Sequence, residues 1–282
     1  MAQIGTREIA VSWVLYSIRE AIGLEIVRNA VLKSKLDGKF KNQVYYGKTF
    51  TQGNTFDDIY QLVYDFRKSG KRYLIFTSNG EIVQNRKKRK RSEFVESHYV
   101  SFIIRENTVT IIDPSRNNGK IGIYNPYIGL CLESFFKREG YMVEWLEMTS
   151  PCQVSHHDVF CQSWTLYLIY KRMKVSAMGQ KVSAMGQKVY IPKNQNEKYE
   201  KILRFFKRLL HYNIFKTELR ALYLENIKTH DNYKLLKTYD PCRLLLEMMT
   251  KDMYDEGEDD DKDDDKDRGE DRGEDRDVID LT

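Results

Sequence analysis

Gln153-Val-Ser-His-His-Asp-Val-Phe-Cys161-Gln-Ser-Trp-Thr-Leu-Tyr-Leu168 places a cysteine where a polar loop gives way to an apolar helical run. The free N–H groups and positive dipole end of a helix favour thiolate over thiol, so a sulfur at this junction is well placed to act as a nucleophile. A single cysteine at a helix start is more often a small packed hydrophobe. The chemical reading therefore requires a base, and a group to orient that base.

Both stand upstream. His98-Tyr-Val-Ser-Phe-Ile-Ile104 and Thr108-Val-Thr-Ile-Ile-Asp113 are rich in β-branched and aromatic residues and flank the short polar break Arg105-Glu-Asn107, which predicts a β-hairpin. A hairpin centred between Arg105 and Glu106 sets His98 opposite Asp113. Directly paired residues have Cβ atoms about 5 Å apart, close enough for a carboxylate to hold one imidazole nitrogen and leave the other for a third group. Cys161 is the candidate for that third group.

The elements around this constellation predict an α+β fold. Residues 127–138 read as a helix, Tyr141 to Met148 as a strand and Gln162 to Met173 as a helix apolar on most faces, hence central. Before the hairpin, Thr55 is an N-cap for a helix ending near Ser69-Gly70, and Arg72 to Thr77 reads as a strand into a turn at Ser78-Asn-Gly80. Thr6 to Leu36 carries apolar residues at helical spacing, broken at Gly23, and residues 37–54 read as loop. The expected organisation is an N-terminal helical segment (1–54), a core (55–173), a duplicated loop (174–195), a helical extension (196–254) and an acidic tail (255–282). The loop repeats Lys-Val-Ser-Ala-Met-Gly-Gln twice, far short of the roughly 20 residues that a solenoid unit needs.

The ordered set His98, Asp113, Gln153 and Cys161 resembles the cysteine peptidases that include the SUMO proteases and the adenovirus-type maturation proteases. In that family a histidine opens a strand, an acid closes the next, and a glutamine shortly precedes a cysteine that starts a helix. The resemblance covers roughly residues 55 to 173. It implies a papain-like core with a central mixed sheet, His98 as general base, Asp113 as its orienter, Cys161 as nucleophile and Gln153 as a side-chain donor of the oxyanion hole. It implies no cofactor, and a substrate with small, glycine-containing residues before the cut, held in a narrow cleft lined by aromatics such as Trp164. The substrate would be a ubiquitin-like (SUMO) conjugate or a viral precursor protein. The family usually has Asp-Cys-Gly, with the glutamine six residues before the cysteine. Here the sequence is Phe160-Cys161-Gln162 and the separation is eight. Phe-Cys-Gln-Ser-Trp resembles versions found in large DNA viruses.

Charge and composition supply the rest. The net charge of +5 divides into an acidic tail and a basic body. Arg86-Lys-Lys-Arg-Lys-Arg91 is an exposed loop by its own repulsion, and reads further as a nuclear-import signal or a phosphate-binding patch for nucleic acid. The tail cannot bury enough apolar surface to order itself. Its end, Val278-Ile-Asp-Leu281 with preceding acids, resembles a SUMO-interacting motif, in which an aliphatic strand adds to a sheet edge. No apolar run predicts a membrane span or a signal peptide. The four cysteines lack C-x-x-C spacing and read as thiols in a reducing compartment. The expected location is the nucleus or cytoplasm of the host cell, or the virion.

Two competing readings stay open. His156 or His157 is an alternative base for Cys161, and with Cys152 and Cys161 these histidines suggest a metal site, although the regular four-ligand spacing of structural zinc is missing. The other function class is a non-catalytic adaptor with a decayed triad, whose basic body binds nucleic acid and whose tail binds SUMO.

Overall fold

A computed structural model describes residues 5–51, 54–82, 96–116, 127–153, 160–177 and 188–248. Among the described residues, five strands form one mixed sheet in the order of the chain: β1 (Val44–Phe50), β2 (Tyr73–Ile82), β3 (Glu96–Arg105), β4 (Thr108–Ile112) and β5 (Met142–Trp145). β3 pairs antiparallel with both β2 and β4, and β1 and β5 add parallel strands at the two edges, beside β2 and β4. The parallel additions are made through helices, as parallel pairs require. α3 (Phe56–Lys68) links β1 to β2, and α4 (Tyr127–Arg138) lies between β4 and β5.

Both faces of the sheet are covered, so the central strands read as apolar runs. On one face Leu74, Phe76, Phe102, Ile104 and Ile111 pack with Ile59 and Phe66 of α3 and Phe135 and Phe136 of α4. On the other, Ile75, Ile103 and Ile112 meet a larger layer built on α5 (Cys161–Ala177). Trp164, Leu166, Tyr167, Leu168, Ile169 and Met173 of α5 are all buried, so the helix is enclosed around most of its circumference. Around it stand α1 (Thr6–Gly23), α2 (Glu25–Phe40), α6 (Gln195–Leu209), α7 (Asn213–Ile227), the short α8 (Tyr233–Leu236) and α9 (Pro241–Glu247). The described residues belong to one compact unit. The mixed sheet with a buried helix opening at the cysteine is the α+β architecture expected, and is consistent with a papain-like core.

Several local expectations hold for physical reasons. The Thr55 N–H donates to Asp58 Oδ2 at 2.8 Å at the start of α3, and Gly70, with φ +64°, lets the chain leave after its end. The N-terminal helix breaks beside Gly23, where Leu24 takes an extended conformation between α1 and α2.

Three expectations are corrected. Residues 37–54, read as loop, contain β1: Val44, Tyr45, Tyr46 and Phe50 are strand formers that the intervening polar and glycine residues obscured. β2 runs on through Ser78-Asn-Gly80, because those residues find partners in β3, where Gly80 lies opposite His98. The hairpin is centred one residue later than predicted. Arg105 pairs with Thr108 across the two-residue loop Glu106-Asn107, and Glu106 takes φ +54°. A two-residue loop favours positive φ because its twist then matches that of the strands, and this moved the register.

Candidate active site

The shifted register changes how His98 and Asp113 meet, without separating them. Continued one step beyond Ser101 and Ile112, the pairing brings Asp113 beside Val100, so His98 and Asp113 are diagonal rather than direct neighbours. Diagonal positions remain within reach of an imidazole and a carboxylate. His98 Nε2 lies 2.7 Å from Asp113 Oδ1, and both side chains are buried.

Asp113 sits just past the end of β4, in a turn closed by the Arg116 N–H donating to the Asp113 carbonyl at 3.2 Å. Its Oδ1 also accepts the Ser115 N–H at 2.9 Å and the Ser115 hydroxyl at 2.8 Å. Burial acts to raise the carboxyl pKa. The hydrogen bond and charge of His98, with the two bonds from Ser115, outweigh burial and hold it below the ordinary aspartate value. Asp113 is therefore a fixed anion.

Cys161 is the first residue of α5, with the Trp164 N–H donating to the Phe160 carbonyl at 2.9 Å. The Thr165 hydroxyl, one turn on, lies 2.6 Å from the Cys161 carbonyl and 3.4 Å from the Tyr99 carbonyl of β3. This ties the start of the helix to the strand that carries His98. The Cys161 side chain lies close enough to His98 to act on it by hydrogen bonding and by charge. Burial opposes a charged imidazole, but the hydrogen bonds and negative charge of Asp113 and Cys161 prevail and push the His98 pKa up to about 9.

Gln153 is buried beside the same acid turn: the Cys152 and Gln153 N–H groups both donate to the Pro114 carbonyl, at 2.9 and 3.1 Å. Its backbone is thereby anchored next to Asp113. Trp164 is placed differently from expectation. It is only 1% exposed and packs edge-on against Tyr167, as part of the core rather than the wall of an open cleft. One turn into α5, it falls on the face turned to the interior.

The chain as a whole matches no family model, and no curated protein matches it. Among solved structures, one of HopZ1a in complex with IP6 is similar, at 11% identity and TM-score 0.34, over 87% of this chain and 93% of that one.

Residues outside the initial set also shape the site. Ser115 fixes Asp113, and Asp113-Pro-Ser115 carried a readable signal, since an aspartate commonly accepts the N–H two residues on. Tyr99 and Gln162 had none, because they meet only in the fold. Tyr99 hydrogen-bonds Gln162 and accepts Asn79 Nδ2 at 3.2 Å, and burial together with charge at Cys161 pushes its phenol pKa up. Gln162 packs against the end of α1, where a Cβ on Gly23 would stand 2.8 Å from its Oε1. Among the described residues no group of three or more His, Cys, Asp or Glu is arranged to hold a metal ion. None of the described helices is long and apolar enough to cross a membrane. His156, His157, the run Arg86–Arg91 and Val278, Ile279 and Leu281 lie outside the described residues.

Proposed function

We propose that the chain is a cysteine peptidase acting through a Cys161-His98-Asp113 triad, on substrates whose cleaved segment ends in small, glycine-containing residues. One observation carries the reading: a buried His98 engages Asp113 at 2.7 Å and the Cys161 sulfur at the start of α5. A decayed triad has no reason to keep a buried imidazole engaged on both sides.

In the proposed reaction the Cys161 thiolate attacks the scissile carbonyl carbon. The tetrahedral oxyanion is stabilised by the Gln153 side chain and the Cys161 N–H. As the C–N bond breaks, His98 gives its proton to the leaving amine and a thioester remains. His98 then takes a proton from water, which attacks the thioester; the acid is released and the sulfur is regenerated. Asp113 holds the ring in place throughout.

A SUMO-type conjugate is the proposed substrate, with a viral precursor protein as the other. The tail residues Val278, Ile279 and Leu281 would bind SUMO, and the basic run at 86–91 would serve nuclear entry or contact nucleic acid. The test uses SUMO carrying a C-terminal vinyl sulfone, and SUMO C-terminal aminomethylcoumarin as fluorogenic substrate. Covalent capture at Cys161, with turnover abolished in Cys161→Ala, is expected. Capture nowhere, or turnover unchanged in Cys161→Ala, would overturn the reading and favour a binding adaptor.

A further inference from the structure

Lys198, on the first turn of α6, is only 1% exposed. It shares the buried stripe of that helix with Ile202, Phe205, Phe206 and Leu209, positions that an apolar residue fills without taking a charge out of water. Lysine is almost never fully buried unless its ammonium is engaged. Here Nζ donates to the Pro151 carbonyl at 2.7 Å.

That carbonyl belongs to the peptide unit leading into Cys152 and Gln153. The N–H of the same unit donates to Pro114, as does the next N–H, so the backbone entering Gln153 is gripped by the acid turn on one side and by α6 on the other. The segment just upstream is also tied to the chain that leads into α6. Val189 N–H donates to the Glu147 carbonyl at 2.9 Å, and Thr149 N–H to the Val189 carbonyl at 3.0 Å. The Thr149 hydroxyl accepts the Ile191 N–H at 2.8 Å and lies 3.0 Å from the Ile191 carbonyl. The loop that presents Gln153 is therefore assembled largely by residues 189–198.

We propose that Lys198 is a positioning residue for the oxyanion side of the site: by fixing the Pro151 carbonyl it sets the path of the backbone on which Gln153 is carried. This rests on the catalytic reading above and gives the C-terminal helices a part in it. Displacements of about 1 Å in positioning groups can cost on the order of 100-fold in rate. Loss of one donor bond to the loop, with Pro114 still in place, is expected to cost about 10-fold or more in kcat, with KM little changed.

The experiment is a double-mutant cycle on the full chain. Lys198→Met, Gln153→Ala and the double variant are assayed with SUMO C-terminal aminomethylcoumarin, and alkylation of Cys161 by iodoacetamide is measured in parallel. Lys198→Gln, a milder change, is carried through the same cycle in case Lys198→Met unfolds. The expected result is a fall in kcat for the lysine variants, no further fall when the substitution is made in Gln153→Ala, and alkylation unchanged, since alkylation forms no oxyanion. A loss that adds to that of Gln153→Ala, a loss mirrored in alkylation or in the unfolding midpoint, or no loss would overturn the role of Lys198 alone. Wild-type protein whose Cys161 alkylates but which never turns over the substrate would instead overturn the catalytic reading, and the inference with it.

Discussion

In the proposed reaction, the proton that His98 carries beside Asp113 is the one the leaving amine needs. That proton is held below about pH 9 and lost above. Amide cleavage is therefore expected to fall about tenfold per pH unit beyond that point. Alkylation of Cys161 by iodoacetamide, which requires no proton donor, should not fall there. Asp113→Asn removes a partner that raises the pKa, so the break in the pH–rate profile should move to lower pH. Parallel profiles for cleavage and alkylation would refute the assignment. The sign for stability follows from the same shift. His98 is raised above its ordinary 6.5, so its contribution is fully present below that value and is lost as pH rises through about 9. At this scale the residue types of the proposed triad were legible in the chain, and so was the Ser115 bond to Asp113, which spans two residues. The Tyr99 contact with Gln162 was not, because it depends on the angle at which the start of α5 meets β3.

β1 shows what the element scale adds. Its strand-forming residues were present, but Gly47 and the polar residues around it resembled a loop, and only pairing with β2 on one side identifies the strand. The register shifts between Tyr46 and Thr49, and there the backbone comes close to the next layer. A Cβ on Gly47 would stand 2.9 Å from Phe76 Cβ and 3.1 Å from Leu62 Cδ1. Because Phe76 is held at its Cβ by the strand backbone, it cannot swing aside as a side-chain tip would. Gly47→Ala is accordingly expected to destabilise by about 1–3 kcal/mol through overpacking, measured as a lowered denaturant midpoint. An unchanged midpoint would show that β1 can move away from β2 at no cost. The hairpin teaches the same lesson in reverse: both strands were readable, while the loop conformation at Glu106 decided their register.

For the molecule as a whole, the C-terminal helices belong to the core that holds Cys161. Leu203, Phe205 and Phe206 of α6 and Phe215, Leu219 and Tyr223 of α7 are buried in the same cluster as Trp164, Leu168 and Ile169 of α5. Each such side chain is worth roughly 1.5–3 kcal/mol of gross burial, against a net stability of about 5–15 kcal/mol for a typical domain. A chain ending at residue 194 is therefore expected to lose cooperative unfolding and to expose the apolar face of α5. Thermal unfolding followed by circular dichroism, with binding of a hydrophobic dye, checks this. A sharp transition near that of the full chain would show that residues 5–194 fold alone.

Local chemistry and periodicity were enough to determine the α+β order, the helix that opens at Cys161, the hairpin that carries His98 and Asp113, and the acidic and basic division of the chain. These depend on side-chain type and on spacings of a few residues, which any stretch carries within itself. Tertiary structure alone decided the burial of Trp164, the strand in residues 44–50 and the reach of Lys198 to Pro151. Those contacts join segments far apart along the chain, and the free energy that selects them comes from packing two helical layers on one sheet, a quantity that no local window contains.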